Sequence, residues 1–285
     1  MTIPPEPCDV LKGRKTKMRS LTKIMFGAAA MLALAGFAAL PAAAQTPDYA
    51  AGLVKPGTIT IATTGNAPPI TQVQPDGSIS GFDIELCQKI ASDLGLATEI
   101  VRVDFAATIP GLTAGRFDMI CSSTARTKQR LESPDLYMTV PTLQNFTTLL
   151  LRADDDAIKT VDDAKGKRIG VVRGGQEGQL LTDLFGSDVQ VVSYPGIAEE
   201  ILDLKNRRID GVAMSFVNAS YTAKSDAALK VLQPGFVKEN VSPYDLALIV
   251  ARSEEPLFKA VNAKIEELSA SGYIDELKKK WILAD

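Results

Sequence analysis

Gly115-Arg116-Phe117-Asp118-Met119-Ile120-Cys121 and Arg208-Ile209-Asp210-Gly211-Val212-Ala213-Met214 carry one pattern twice: a basic residue, an apolar residue, an aspartate and then an apolar run. Each follows a segment of helical periodicity. Residues 106–115 place Ile109 and Leu112 on one face, and residues 197–207 do so with Ile201, Leu202 and Leu204. Reading backward from the first copy, residues 99–105 alternate like a strand. Residues 81–94 read as a helix, with Ile84, Cys87, Ile90, Ala91 and Leu94 at three- and four-residue steps, and residues 58–61 read as a strand. Behind the second copy stand a strand at 189–192, a helix at 175–185 and a strand at 168–172. The chain thus holds two β-α-β-α-β units about 100 residues apart. Strands alternating with helices imply a mostly parallel sheet flanked by helices, an α/β fold, and two such units imply two similar lobes. Ligands of open α/β sheets lie beyond the carboxyl ends of the strands, so two facing lobes predict a cleft there. The tail adds an apolar run at 246–250, an amphipathic helix at 256–268 and a short last helix after Gly272, too short to stand as a further domain.

The N-terminal stretch predicts export. Arg14, Lys15, Lys17, Arg19 and Lys23 precede an apolar run over residues 24–40, followed by Pro41-Ala42-Ala43-Ala44-Gln45. A basic region, an apolar core and an Ala-x-Ala end form a cleavable signal peptide over residues 1–44, with Met18 as an alternative start. Gly27 and Gly36 weaken the run as a membrane span, and past residue 45 no apolar run is long enough for one. The expected location is the periplasm.

Composition excludes several classes. The chain has no histidine, which removes Ser-His-Asp and Cys-His catalysis and any His-ligated metal. Of 31 Lys/Arg and 34 Asp/Glu, six and two lie before Gln45, so the mature chain carries 25 against 32, a net charge of −7. No basic patch argues for nucleic acid. No cofactor is expected. Cys87 and Cys121 are the cysteines left after Cys8 is removed. Export permits a disulfide, but one cysteine lies on a helix's apolar face and the other ends a strand, and the expectation is two buried free thiols.

The order of motifs resembles the family 3 extracellular solute-binding proteins, the polar amino-acid receptors of ABC importers. The matching pieces are Gly81-Phe82-Asp83-Ile84, Ile109-Pro110-Gly111-Leu112, Gly115-Arg116-Phe117-Asp118, residues 122–130, Lys165-Gly166-Lys167-Arg168-Ile169-Gly170-Val171, Arg208-Ile209-Asp210-Gly211-Val212, Pro243-Tyr244, Val261-Asn262, Gly272-Tyr273 and Lys280-Trp281. They span roughly residues 57–281. The resemblance implies a two-lobed periplasmic-binding-protein fold of type II. Lobe 1 would comprise residues 56–145 and 245–285 after a lead at 45–55, and lobe 2 residues 146–244. Two crossings, near 142–148 and 240–245, would form the hinge of a monomeric Venus-flytrap clamp. The closed form would dock on an inner-membrane ABC permease.

The resemblance also implies a site. Arg130 matches the arginine that clamps a ligand carboxylate, a role suited to a planar, permanently charged, bidentate group. Ser122, Ser123 and Thr124 follow the third strand, where the cleft should be, and their hydroxyls and backbone N–H groups would take carboxylate oxygens. Ala125 stands where the family usually has Thr or Ser. Gly174-Gly175-Gln176 opens a helix whose N-terminus suits a carboxylate. Phe105, at the end of its strand, would pack the ligand side chain. The first loop carries Thr64 and Asn66, with Ala67 in the place of a stacking aromatic. Two family aspartates that hold the α-ammonium read here as Thr64 and Ser215, leaving Glu177 or Asp245 as substitutes. A hydroxyl cannot balance a buried ammonium. The expected ligand is therefore a small carboxylate, either an anion or an amino-acid derivative with an uncharged or remote nitrogen. The rival reading is an enzyme resembling the cyclohexadienyl dehydratases, which carry a glutamate just after a Gly-Gly turn; Glu177 sits one residue early for that pattern.

Overall fold

The computed structural model describes residues 47–236 and 244–283. The leader, the predicted cleavage site and most of the second predicted crossing lie outside these residues. The chain first forms β1 (Thr58–Thr63), β2 (Asn66–Ala67), β3 (Thr71–Val73), β4 (Ile79–Ser80), α1 (Phe82–Asp93), β5 (Ala97–Arg102), α2 (Phe105–Thr113), β6 (Met119–Ala125), α3 (Lys128–Leu131), β7 (Leu136–Met138) and β8 (Leu143–Asn145). There follow β9 (Thr147–Arg152), β10 (Arg168–Val172), α4 (Glu177–Phe185), β11 (Gln190–Tyr194), α5 (Ile197–Lys205), β12 (Gly211–Ser215), α6 (Phe216–Ser225) and β13 (Leu229–Val231). The last elements are β14 (Tyr244–Ala251), α7 (Glu255–Ala270) and α8 (Tyr273–Trp281).

The strands build one main sheet per lobe. The first has the order β5-β1-β6-β14-β7, with β8 also on β14; the second has the order β11-β10-β12-β9-β13. In each, three strands run parallel and the strands joined to them run antiparallel. The chain changes sheet at Phe146, between β8 and β9. There the Phe146 ring stacks on Phe216 at 4.4 Å, and its carbonyl accepts the Phe216 N–H at 2.8 Å.

The repeated aspartate does the same work in both lobes. Asp118 N–H donates to Thr60 O at 2.8 Å while its carboxylate accepts the Thr60 N–H at 2.6 Å. Asp210 N–H donates to Arg168 O at 2.8 Å while its carboxylate accepts the Arg168 N–H at 2.8 Å. Each aspartate therefore extends the ladder between the first and third strands of its unit, beyond the point where the strand itself begins. A short carboxylate just before the strand is what that geometry needs, and an apolar residue there would leave a backbone N–H unpaired.

Helices cover both faces of each sheet. In the first lobe α1, α7 and α8 bury Phe82, Leu86, Ile90, Val261, Ile265 and Leu277 on one face, and Leu112 of α2 packs with Phe117 on the other. In the second lobe Leu181 and Phe185 of α4 lie on one face, and Ile197, Leu204 and Ala219 of α5 and α6 on the other. The tail helices thus belong to the first lobe. Among the described residues no helix is long and apolar enough to cross a membrane.

Three readings change. Cys87 and Cys121 are bonded to each other, with Cα atoms 6.7 Å apart, not free. Both positions were legible as buried; what was not legible is that the apolar face of α1 lies directly on β6. Phe105 is the first residue of α2, not a strand end. Residues 122–124 do not follow the third strand but belong to it: β6 continues to Ala125 because β14 pairs with it that far, as Leu246 opposite Ala125 shows. Helix α6 was not anticipated. Its start is set by Ser215, whose hydroxyl accepts the Asn218 N–H.

Candidate functional site

The carboxyl ends of β1, β6, β10 and β12 point into the space between the lobes, and the predicted site residues stand there because they follow those strands. Thr64 follows β1, Ser122 and Ser123 end β6, Gly174 and Gly175 follow β10, and Ser215 ends β12. A cavity of about 100 Å³ lies among them. Thr64, Asn66, Phe105, Ser122, Ser123, Arg130, Gly175, Gln176 and Ser215 all line it. Gly174 does not line it but is bonded to Arg130, which does.

Arg130 lies on the one-turn helix α3, whose start is capped by the Thr127 hydroxyl accepting the Arg130 N–H at 3.3 Å. Its guanidinium donates to Ala125 O in the first lobe at 3.0 Å and to Gly174 O in the second at 3.1 Å. The group sits 5.8 Å from the centre of the Phe105 ring. Burial pulls the guanidinium below its ordinary pKa, and the Glu177 carboxyl opposes that fall. Two of its N–H groups are thus committed to carbonyls on opposite sides of the cleft.

Ser123 owes its position to α1. The buried Asp83 carboxylate accepts both the Ser123 hydroxyl, at 2.9 Å, and the Ser123 N–H. Ser123 has φ 37°, a left-handed conformation that a serine adopts only when held there. Burial raises Asp83 to about 6 against the two hydrogen bonds. Asp83 itself is placed by Gly81, where an added Cβ would stand 2.3 Å from Ile70 O. Thr64 and Ser122 share a hydroxyl contact of 3.4 Å.

Glu177, the first residue of α4, lines the cavity and is half-buried. Its carboxyl folds back over the helix start, so that a Cβ on Gly175 would stand 2.6 Å from it. Burial pushes the carboxyl above the ordinary range; its own backbone N–H, Arg130 and Gln176 favour the charged form. The helix N-terminus expected to receive a ligand carboxylate is thus faced by the chain's own carboxyl. Asp245, the other candidate substitute, is outside the cavity and lies 3.8 Å from Arg126. The alternation of β14 explains this: Tyr244 and Leu246 face the cavity, and the residue between them faces away. Burial, then the Glu177 charge, raises the Tyr244 phenol.

The sequence reading missed the apolar half of the wall, which includes Ile70, Val172, Ile197, Met214 and Leu246. These residues follow the same periodicity as core residues, and no local signal separates them from core. Asn218 was missed because its helix was missed; its amide donates to Pro68 O across the cleft at 2.8 Å. Ala67 and Ala125, both short where the resembled family carries larger or hydroxylated groups, line the cavity. Among the described residues no three His, Cys, Asp or Glu side chains gather into a group that could hold a metal.

The lobes touch closely at the cleft rim. Gly174 has φ +79°, and a Cβ there would stand 3.2 Å from Cα of Ala106 in the other lobe. Gly174→Ala should therefore weaken ligand binding about three- to tenfold, a contact opposing closure by about 1 kcal/mol, while the left-handed φ lowers stability with or without ligand. Calorimetric affinity equal to that of the wild type would show that the rim does not close this tightly in solution.

The model of the bacterial extracellular solute-binding proteins, family 3, matches residues 59–284. The L-cystine-binding protein TcyJ of Escherichia coli is 27% identical over 231 residues, covering 80% of this chain and 84% of that protein. The L-arginine-binding protein of Pseudomonas aeruginosa is 27% identical over 261 residues, covering 89% of this chain and 97% of that protein. A solved substrate-binding protein of an amino acid ABC transporter superposes with a TM-score of 0.73 at 28% identity, over 80% of this chain and 100% of that one.

Proposed function

Because this chain belongs to the bacterial extracellular solute-binding proteins, family 3, we propose that it captures an amino acid between its lobes and delivers it to an ABC importer. The observation that carries this reading is the pair of opposite charges in one cavity: Arg130 for a carboxylate and Glu177 for an ammonium. The protein acts as a monomer in the periplasm, released from its leader after Ala44, and the closed form docks on the permease. It binds without transforming its ligand. The relatives it resembles, the L-cystine-binding and L-arginine-binding proteins, are binding proteins, which supports this reading.

Glu177 also reverses the ligand preference expected from Thr64 and Ser215. Neither position supplies a carboxylate, but Glu177 brings one into the wall from a different element. A zwitterion then fits better than an anion, which would meet a half-buried acid. The test is calorimetry on L-amino acids, each paired with its deaminated analogue. At least one L-amino acid is expected to bind at least about tenfold tighter than its analogue, about 1.4 kcal/mol. Tighter binding of the analogues throughout would restore the anion reading. Small-angle scattering should show a smaller radius of gyration on ligand addition, and an unchanged radius at saturation would count against hinge closure.

A further inference from the structure

Behind the second-lobe wall of the cavity lies a second acid. Glu200, on α5, is 0% exposed, and neither carboxyl oxygen has a hydrogen-bond partner. It stands one turn after Ile197, which lines the cavity, on the same buried stripe of the helix. Helical side chains lean toward the N-terminus of their helix, which directs Glu200 toward Ile197, and the charge of Glu177, in the cavity wall, acts on its carboxyl. The floor there is apolar: Val172, Ile197, Ala213 and Met214, of which the unbranched Met214 has the rotamer freedom to yield. A fully buried carboxyl without a partner is costly, and nothing else in the fold uses it.

Resting on the amino-acid reading above, we infer that the second lobe holds a two-carboxyl seat, Glu177 in the wall and Glu200 beneath it, for an amino acid whose side chain carries a second cationic nitrogen. The α-ammonium meets Glu177. The side-chain methylenes lie along Val172, Ile197 and Met214, and the terminal cation reaches Glu200 past the Met214 thioether, a flexible side chain. In the absence of that cation Glu200 is protonated. Burial, then the charges of Glu177 and Glu199, all raise it well above the carboxylate range. The charged groups around it supply no compensation. Asp203 on the same helix and Tyr194 on β11 are bonded to each other. Arg168 on β10 is paired with Asp210. Arg152 on β9 is held at the far end of α5 by Leu204 O and Ile209 O. Neither β2 nor β12 carries a charge. When the cation arrives, the Glu200 O–H bond breaks, its proton passes to solvent, and the carboxylate pairs with the ligand.

The sign follows directly. A proton is released on binding, so affinity for the dicationic-nitrogen ligand rises with pH, by about tenfold per unit for one full proton. The experiment is titration calorimetry on two isosteric pairs, L-lysine with L-norleucine and L-arginine with L-citrulline, in two buffers of different ionisation enthalpy. For the wild type the charged member of at least one pair should bind at least tenfold tighter, releasing close to one proton, and its neutral partner should release none. In Glu200→Gln the two members of that pair should bind within about threefold of each other, with no proton released. That variant, and Glu200→Leu as a second, should also melt higher than the wild type, because each removes a buried unpaired carboxyl. A wild type that prefers the neutral members, or a Glu200→Gln variant that keeps the preference and the proton release, would overturn the inference while leaving the amino-acid reading intact. Binding of none of the four, nor of any other L-amino acid, would overturn that reading itself.

Discussion

Replacing Arg130 by alanine should weaken ligand binding at least about a hundredfold. Arg130 is half-buried and, among the described residues, is the one cation lining the cavity. Removing one member of a desolvated charge pair typically costs about 3–5 kcal/mol, and each 1.4 kcal/mol is about tenfold in dissociation constant. Two further effects act in the same direction. The substitution removes one of the two bonds to Ala125 O, which keeps the Thr127 N–H, and it breaks the bond to Gly174 O that spans the cleft. Arg130→Lys should recover only part of the loss. An ammonium lacks the planar fork that reaches both carbonyls while still presenting donors to a carboxylate. Calorimetry decides it: a loss below about fivefold for Arg130→Ala would move the residue out of the binding site.

The second large effect concerns stability. Reducing the Cys87–Cys121 bond, or replacing both residues by alanine, should lower the unfolding free energy by about 3–4 kcal/mol, the chain-entropy value for a closed loop of its sequence separation, 34 residues. For a domain of this size that is a fall in Tm of roughly 7–14 °C. Binding should weaken as well, since Cys121 immediately precedes Ser122 and Asp83 on α1 holds Ser123. The same bond ties into export. The proposed cleavage after Ala44 would remove Cys8, so exported protein should begin at Gln45 and titrate with no free thiol after denaturation. Two free thiols per chain, together with a Tm indifferent to reductant, would refute the pairing.

The sequence by itself determined the architecture and one pole of the site. The paired Arg-x-Asp patterns ending at Asp118 and Asp210 mark the same joint in both lobes, because a carboxylate bonding the neighbouring strand's N–H is a local demand, written in a few adjacent residues. Helix and strand periods fix which face of an element is buried, and therefore which strand ends open on the cleft. Hence Ser122, Ser123 and Gly175 could be placed at the cavity from their positions after strands, whereas Arg130 was placed there by the family resemblance. Periodicity does not say which buried face meets which. Cys87 and Cys121 each read as core, but only the packing of α1 on β6 brings them within bonding reach. Val172, Ile197 and Met214 could not be told from core, because a cavity wall and a core use the same apolar stripe and differ only in what lies opposite. Glu177 and Asp245 were equal candidates for the missing acid. The fold-back of one over Gly175 and the outward turn of the other on β14 separate them. Charge in a protein site is a matter of distance and burial. Those are set between segments far apart in the chain, so the acid half of this site belongs to the tertiary structure alone.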